Sequence, residues 1–118
     1  MSRAWEYSIE PIGPVHMIYV GSGPSGILAD ADRCRIIEMC ESRFLSFTCT
    51  EARGYFRGKA EETLVIHIAT ADEDLIIGLA REIAVAQDQL GVGLSGPDAN
   101  GALSYRRIIP WRQDGVQT

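Results

Sequence analysis

Lysine is nearly missing from this chain: of its 11 basic residues, Lys59 alone is not arginine. Histidine is as scarce. His16 and His67 lie far apart, each inside an apolar run, so a histidine ligand pair would need both on adjoining strands, and no metal is expected. Cys34, Cys40 and Cys49 form an odd set with no Cys-x-x-Cys pair, which excludes a disulfide framework or a recognisable zinc site and leaves buried apolar thiols. No apolar run approaches the ~20 residues that a membrane helix needs. Met1 to Pro11 mixes Arg3, Glu6 and Glu10 with single apolar residues, unlike a secretory signal or a lipidation motif. A cytoplasmic protein with no membrane partner is therefore expected. Internal repeats and low-complexity stretches are also missing.

What is present is an ordinary globular composition. The 118 residues are 46% hydrophobic and 23% charged, enough for one domain, placed at residues 1–111, with a polar tail at 112–118 expected to be flexible. The net charge of −5 argues against nucleic acid as a partner. Arginine suits bidentate recognition of carboxylates and phosphates, although a bias in codon composition accounts for its excess more simply.

Along the chain, His16 to Val20 reads as a strand stopped by the Gly-rich loop Gly21 to Gly26. A helix follows, capped by Asp30 or Asp32, with Cys34, Ile37, Cys40 or Glu41, and Phe44 recurring along one stripe and an end near Arg43. Phe44 to Phe56 alternates as a long strand. Gly58, Lys59 and Ala60 turn the chain, and Thr63 to Ala69, apolar on both faces, reads as the middle of a sheet. Thr70 and Glu73 form a capping box for a second helix with Leu75, Leu79, Ile83, Ala86 and Leu90 as its stripe, closed at Gly91. Val92 to Leu94 allows a short strand, and Leu103 to Ile109 reads as the last one. The order β, α, β, β, α, β predicts an α+β, ferredoxin-like (split βαβ) antiparallel sheet with two helices on one face. Such a sheet exposes its other face, so a homo-oligomer through that face is expected, unless Trp5 to Ile12 covers part of it.

Two constellations point to binding. Gly21-Ser22-Gly23-Pro24-Ser25-Gly26 is a literal G-x-G-x-x-G between a strand and a helix, and Val20 to Ile27 resembles the fingerprint of flavin-dependent oxidoreductases, with Glu51 in the place of a ribose-binding acid. The chain is too short for the full parallel sheet, and the segment after Glu51 reads as a hairpin, so a surface loop is preferred and no cofactor is expected. The second constellation runs from Thr48 to Thr63. Alternation would send Glu51, Arg53, Tyr55 and Arg57 to one face, where an aromatic ring between guanidinium groups, with Lys59 nearby, suits an anionic, ring-containing ligand. Pairing of Arg57 and Lys59 with Glu61 and Glu62 across the hairpin is the plainer alternative.

The pattern of Thr48, Glu51-Ala52, Gly54, Tyr55-Phe56, Gly58-Lys59 and Glu62 before an apolar strand resembles small ferredoxin-like bacterial and phage proteins. More distantly the layout is similar to the trimeric PII-type and CutA proteins, a resemblance that implies a ligand site between subunits.

Catalytic candidates are thin: neither Cys49 nor Ser25 has a specified histidine and carboxylate, and His67 reads as a packed strand residue. The expectation is a non-enzymatic oligomeric binding module that senses or sequesters an anionic small molecule or nucleotide, with Arg53, Tyr55, Arg57, Lys59, Gly21 and Gly23 as ligand-binding residues. The alternatives are a small enzyme using the oligomer cavity, with His67 or Cys49 reactive, and a structural or protein-binding subunit.

Overall fold

The computed structural model describes residues 5–89 and 91–110. Five strands and two helices follow one another as β1 (Val15–Gly21), α1 (Asp30–Glu41), β2 (Thr48–Phe56), β3 (Lys59–Ala69), α2 (Glu73–Ala86), β4 (Val92–Pro97) and β5 (Leu103–Ile108), with a single 3₁₀ turn at Gly23–Ser25. The strands form one sheet in the order β2-β3-β1-β4-β5, and every neighbouring pair is antiparallel. This is the ferredoxin-like α+β arrangement with one strand added at an edge.

That extra strand corrects the expected topology. The fourth strand of the split βαβ unit is β4, beside β1, whereas the Leu103 segment is the added β5. Gly93, Ser95, Gly96 and Pro97 give β4 little β propensity, so the sequence shows only a short strand at Val92 to Leu94 where the structure has Val92–Pro97. Gly93 has a structural reason: the Tyr105 ring lies so close that a Cβ there would sit 2.0 Å from its hydroxyl.

Alternation sorts the sheet into two faces. Ile18, Val20, Leu64, Ile66, Ile68, Val92 and Leu94 meet Ile36 and Cys40 of α1 and Ile76, Leu79, Ala80, Ile83 and Ala84 of α2 in one buried cluster. The other face carries Met17, Tyr19, Thr48, Thr50, Thr63, Val65, His67, Ser95, Tyr105 and Arg107. It is mixed rather than apolar, because the outward residues of β3 include Thr63 and His67. Trp5 to Ile12 does not cover it: Trp5 is 97% exposed, Tyr7 86% and Ile9 82%.

Several boundaries move. Phe44 stays in the turn that ends α1, its N–H donating to Cys40 O at 2.9 Å, and with Phe47 it packs against the core, so β2 starts only at Thr48. The β2–β3 turn is Arg57-Gly58, with φ of +51° and +79°, a two-residue turn of the type that matches strand twist, and Lys59 already belongs to β3. The cap of α1 is Ala29, whose N–H is taken by the Asp32 carboxylate at 3.3 Å. Asp72, not Thr70, caps α2: its Oδ1 accepts from Leu75 N at 3.0 Å, while Thr70 Oγ1 accepts from Asp72 N at 3.1 Å. Asp88, at φ +51°, takes the left-handed position expected of Gly91. Leu90, Trp111 and the tail 112–118 lie outside the described residues. No helix among the described residues is long and apolar enough to cross a membrane.

Candidate functional site

Where β2 forms the sheet edge beside α1, a cleft of about 280 Å³ opens, lined by Arg33, Glu51, Ala52, Arg53, Glu62 and Thr63. Its centre is Arg33, one turn into α1. The Nε atom lies 2.5 Å from Glu51 Oε1, Nη2 lies 3.4 Å from Glu62 Oε2, and Nη1 lies 3.5 Å from Asp30 Oδ1 and donates to the carbonyl of Leu28. Burial works against the charged guanidinium, but Glu51, Glu62 and Asp30 outweigh it and hold its pKa above the ordinary arginine value. Glu62 is fixed in turn, because its Oε1 accepts from Leu28 N at 3.0 Å and its N–H donates to Gly26 O at 3.0 Å. The loop after β1 is thereby tied to the start of β3.

The expected binding residues divide around this cleft. Arg53 lines it, and Tyr55, 70% exposed, stands two residues further along the same face of β2. Arg57 does not join them, because it occupies the hairpin turn and its guanidinium lies 5.3 Å from the ring centroid of Phe56, whose side chain is on the opposite face. Lys59 pairs with Phe56 and shares that opposite face. Gly21 ends β1 beside the Glu61 carboxylate, and its carbonyl accepts from Gln89 Nε2. Gly23, at φ +72°, begins the 3₁₀ turn.

The G-x-G-x-x-G string therefore does not make a dinucleotide site of the Rossmann kind. Ile27, Leu28 and Ala29 separate Gly26 from α1, and the first turn of α1 carries Asp30 and Asp32, which oppose a pyrophosphate where such a site would welcome it. Both neighbours of β1 are antiparallel to it, and Glu51 is engaged by Arg33.

Among the thiols, Cys40 is fully buried, and that burial pushes its pKa up to about 12. Cys49, half-buried against the core, is pushed up by burial as well, which disfavours the thiolate that a nucleophile needs. His67 points to the open face, its Nε2 3.2 Å from Thr50 Oγ1. His16, by contrast, is 2% exposed on the helix side.

Arg33 was not singled out from sequence, and Glu62 was read as a hairpin partner of Arg57 and Lys59, whereas it lies against Arg33. The pairing of Arg33 with Asp30 at i, i−3 was visible, but its contacts with Glu51 and Glu62 depend on where α1 lies across the sheet.

The fold belongs to a class that also holds enzymes acting on small molecules. Two solved structures share it over 93% of this chain and 100% of their own: a phage SAM lyase in complex with S-methyl-5′-thioadenosine (TM-score 0.58, 15% identity) and a phage SAM lyase in the apo state (TM-score 0.61, 14% identity). No family model matches, and no curated protein does. The neighbours are enzymes, which corrects the expectation that this architecture here serves a non-enzymatic binding module. The likeness to phage proteins agrees in a coarse way with the resemblance seen in sequence.

Proposed function

We propose that this protein is a small lyase acting on a sulfonium nucleoside of the S-adenosylmethionine class. The observation that carries the reading is the likeness of fold, over 93% of this chain and all of theirs, to the two phage SAM lyases. The cleft beside α1 is compatible in its chemistry. The substrate carries a carboxylate, an ammonium and a sulfonium, and the cleft offers guanidinium groups on Arg33 and Arg53 next to carboxylates on Glu51 and Glu62. Tyr55 supplies an exposed ring for stacking the base.

A sulfonium sulfur leaves as a neutral thioether, so the protein has to orient the substrate and stabilise charge. Two routes balance. In one, the substrate's own carboxylate attacks its Cγ, the Cγ–S electron pair goes to sulfur, and S-methyl-5′-thioadenosine and a lactone form with no proton transferred. In the other, a base removes a Cβ proton, the C–H electrons become the Cβ–Cγ double bond, and the same thioether leaves. Glu51, the more exposed of the two cleft carboxylates, is the base available for the second route.

Incubation of the purified protein with S-adenosylmethionine, followed by chromatography and mass spectrometry, tests the proposal. S-methyl-5′-thioadenosine should accumulate over many turnovers, and the second product, lactone or unsaturated amino acid, distinguishes the routes. Absence of the thioether at stoichiometric protein overturns the reading.

A further inference from the structure

The residues ahead of β1 have no regular secondary structure, yet from Trp5 to Glu10 they carry the alternation of a strand: Trp5, Tyr7 and Ile9 against Glu6, Ser8 and Glu10. All three apolar side chains are more than four-fifths exposed.

The chain does not use this segment on itself in the arrangement it adopts. Its root is fixed on the β3 side of β1, where Pro14 O accepts from Thr70 N at 3.0 Å, and Gly13 lies so close that a Cβ would come within 2.5 Å of Ala71 N. The complementary surface is at the other side of the sheet. There β5 forms an edge, paired on one side by β4 and by no described strand on the other. Leu103 is 84% exposed and Tyr105 67%.

We propose that the segment Trp5 to Glu10 adds to the β5 edge of a second copy of this chain. The match is one of length, period and charge. Trp5 to Glu10 is as long as Leu103–Ile108 and free of proline, so every residue can donate to the ladder. With Trp5, Tyr7 and Ile9 beside Leu103, Tyr105 and Arg107 on the open face, Glu6 and Glu10 fall on the side of Arg106. The segment has two acids and no base; β5 has two arginines and no acid. Nη1 of Arg106 donates to Glu73 Oε1 at 2.8 Å, while its Nε and Nη2 are buried without a hydrogen-bond partner, so the guanidinium has to turn outward to meet an added strand. The edge β2, with Glu51 and Arg53 already facing α1, offers no such match. Association then runs through the edge of the sheet, one copy's arm on the next, and leaves the open face uncovered.

The full chain and a variant with Trp5→Ser, Tyr7→Ser and Ile9→Ser decide this by light scattering on a sizing column. The wild type should run at a multiple of 12.9 kDa and the variant at that mass, with unchanged circular dichroism, because these side chains pack on no core residue. In a mixture of isotope-labelled and unlabelled copies, contacts between Tyr7 or Ile9 of one and Leu103 or Tyr105 of the other should appear. A wild type that is monomeric at high micromolar concentration overturns the proposal. So does an oligomer whose mass the triple substitution leaves unchanged, which would transfer the association to the sheet face.

Discussion

Arg33 of α1 and Glu51 of β2 are bound side chain to side chain, the guanidinium Nε 2.5 Å from the carboxylate, although one comes from a helix and the other from the far edge of the sheet. Because Glu62 shares the same guanidinium, removing Arg33 leaves two carboxylates facing each other in the cleft. On the proposed lyase activity, Arg33→Ala should lower turnover by about 10- to 100-fold, as expected when a charged partner of an anionic group is lost. Stability should fall little, since Glu51 is largely exposed. Parallel measurements of turnover and thermal melting check both, and a large loss of Tm would assign the cluster to the scaffold.

The three thiols should behave differently. Cys34 is exposed, Cys49 half-buried and Cys40 buried, so a thiol reagent should modify them in that order, Cys40 only on unfolding. Cys40 also implies alkaline instability. Its pKa is about 12 in the folded protein against about 9 for a free thiol, so above pH 9 the unfolded chain loses a proton that the folded one keeps. Stability should be intact below pH 9 and decline from there toward pH 12. Denaturant titrations of the wild type and Cys40→Val across that range would show it, the variant having the shallower decline.

Ile66 is fully buried in the central region of β3, between both helices and the neighbouring strands. Ile66→Ala should cost ~2–5 kcal/mol, the range for truncating a core aliphatic. Chemical denaturation measures it. A cost below ~1 kcal/mol would mean that the helices pack more loosely on the sheet than their buried contacts imply.

Arg57 sits at φ +51°, a region that asparagine tolerates better than arginine. Arg57→Asn should raise stability by ~0.5–1 kcal/mol, part of the cost of holding an ordinary residue in the left-handed region. With its guanidinium over Phe56 rather than toward Arg53, turnover should stay unchanged. A stable variant with lost activity would return Arg57 to the site.

The split βαβ order was legible because its strongest elements advertise themselves. The unbroken run from Leu64 to Ile68 and the stripe of Leu75, Leu79 and Ile83 carry their periodicity in short windows. By contrast β4 showed only in its first half, since Gly93 and Gly96 are set by what lies across them, the Tyr105 ring and His16. The same division holds for the site. Arg53 and Tyr55 follow from strand alternation, but Arg57 leaves their face because the turn is one residue earlier than glycine and lysine suggested. The meeting of Arg33 with Glu62 was invisible: it needs the lie of α1 across β2 and β3, which no local pattern encodes.

The position of β1 bears on how the chain comes together. Its two neighbours each belong to a hairpin closed by a short connection, β2 with β3 and β4 with β5, and those hairpins can form from contacts close in sequence. β1 has no local partner, for its residues pair with Thr63–Ala69 and with Gly93–Ser95, far along the chain. Joining the two hairpins across β1 closes the largest loops in the molecule, and loop closure of that kind slows folding. The slow step should therefore be the docking of Val15–Gly21 between preformed hairpins, and substitutions at Ile18 should alter the folding rate more than equally destabilising ones at the β2–β3 turn.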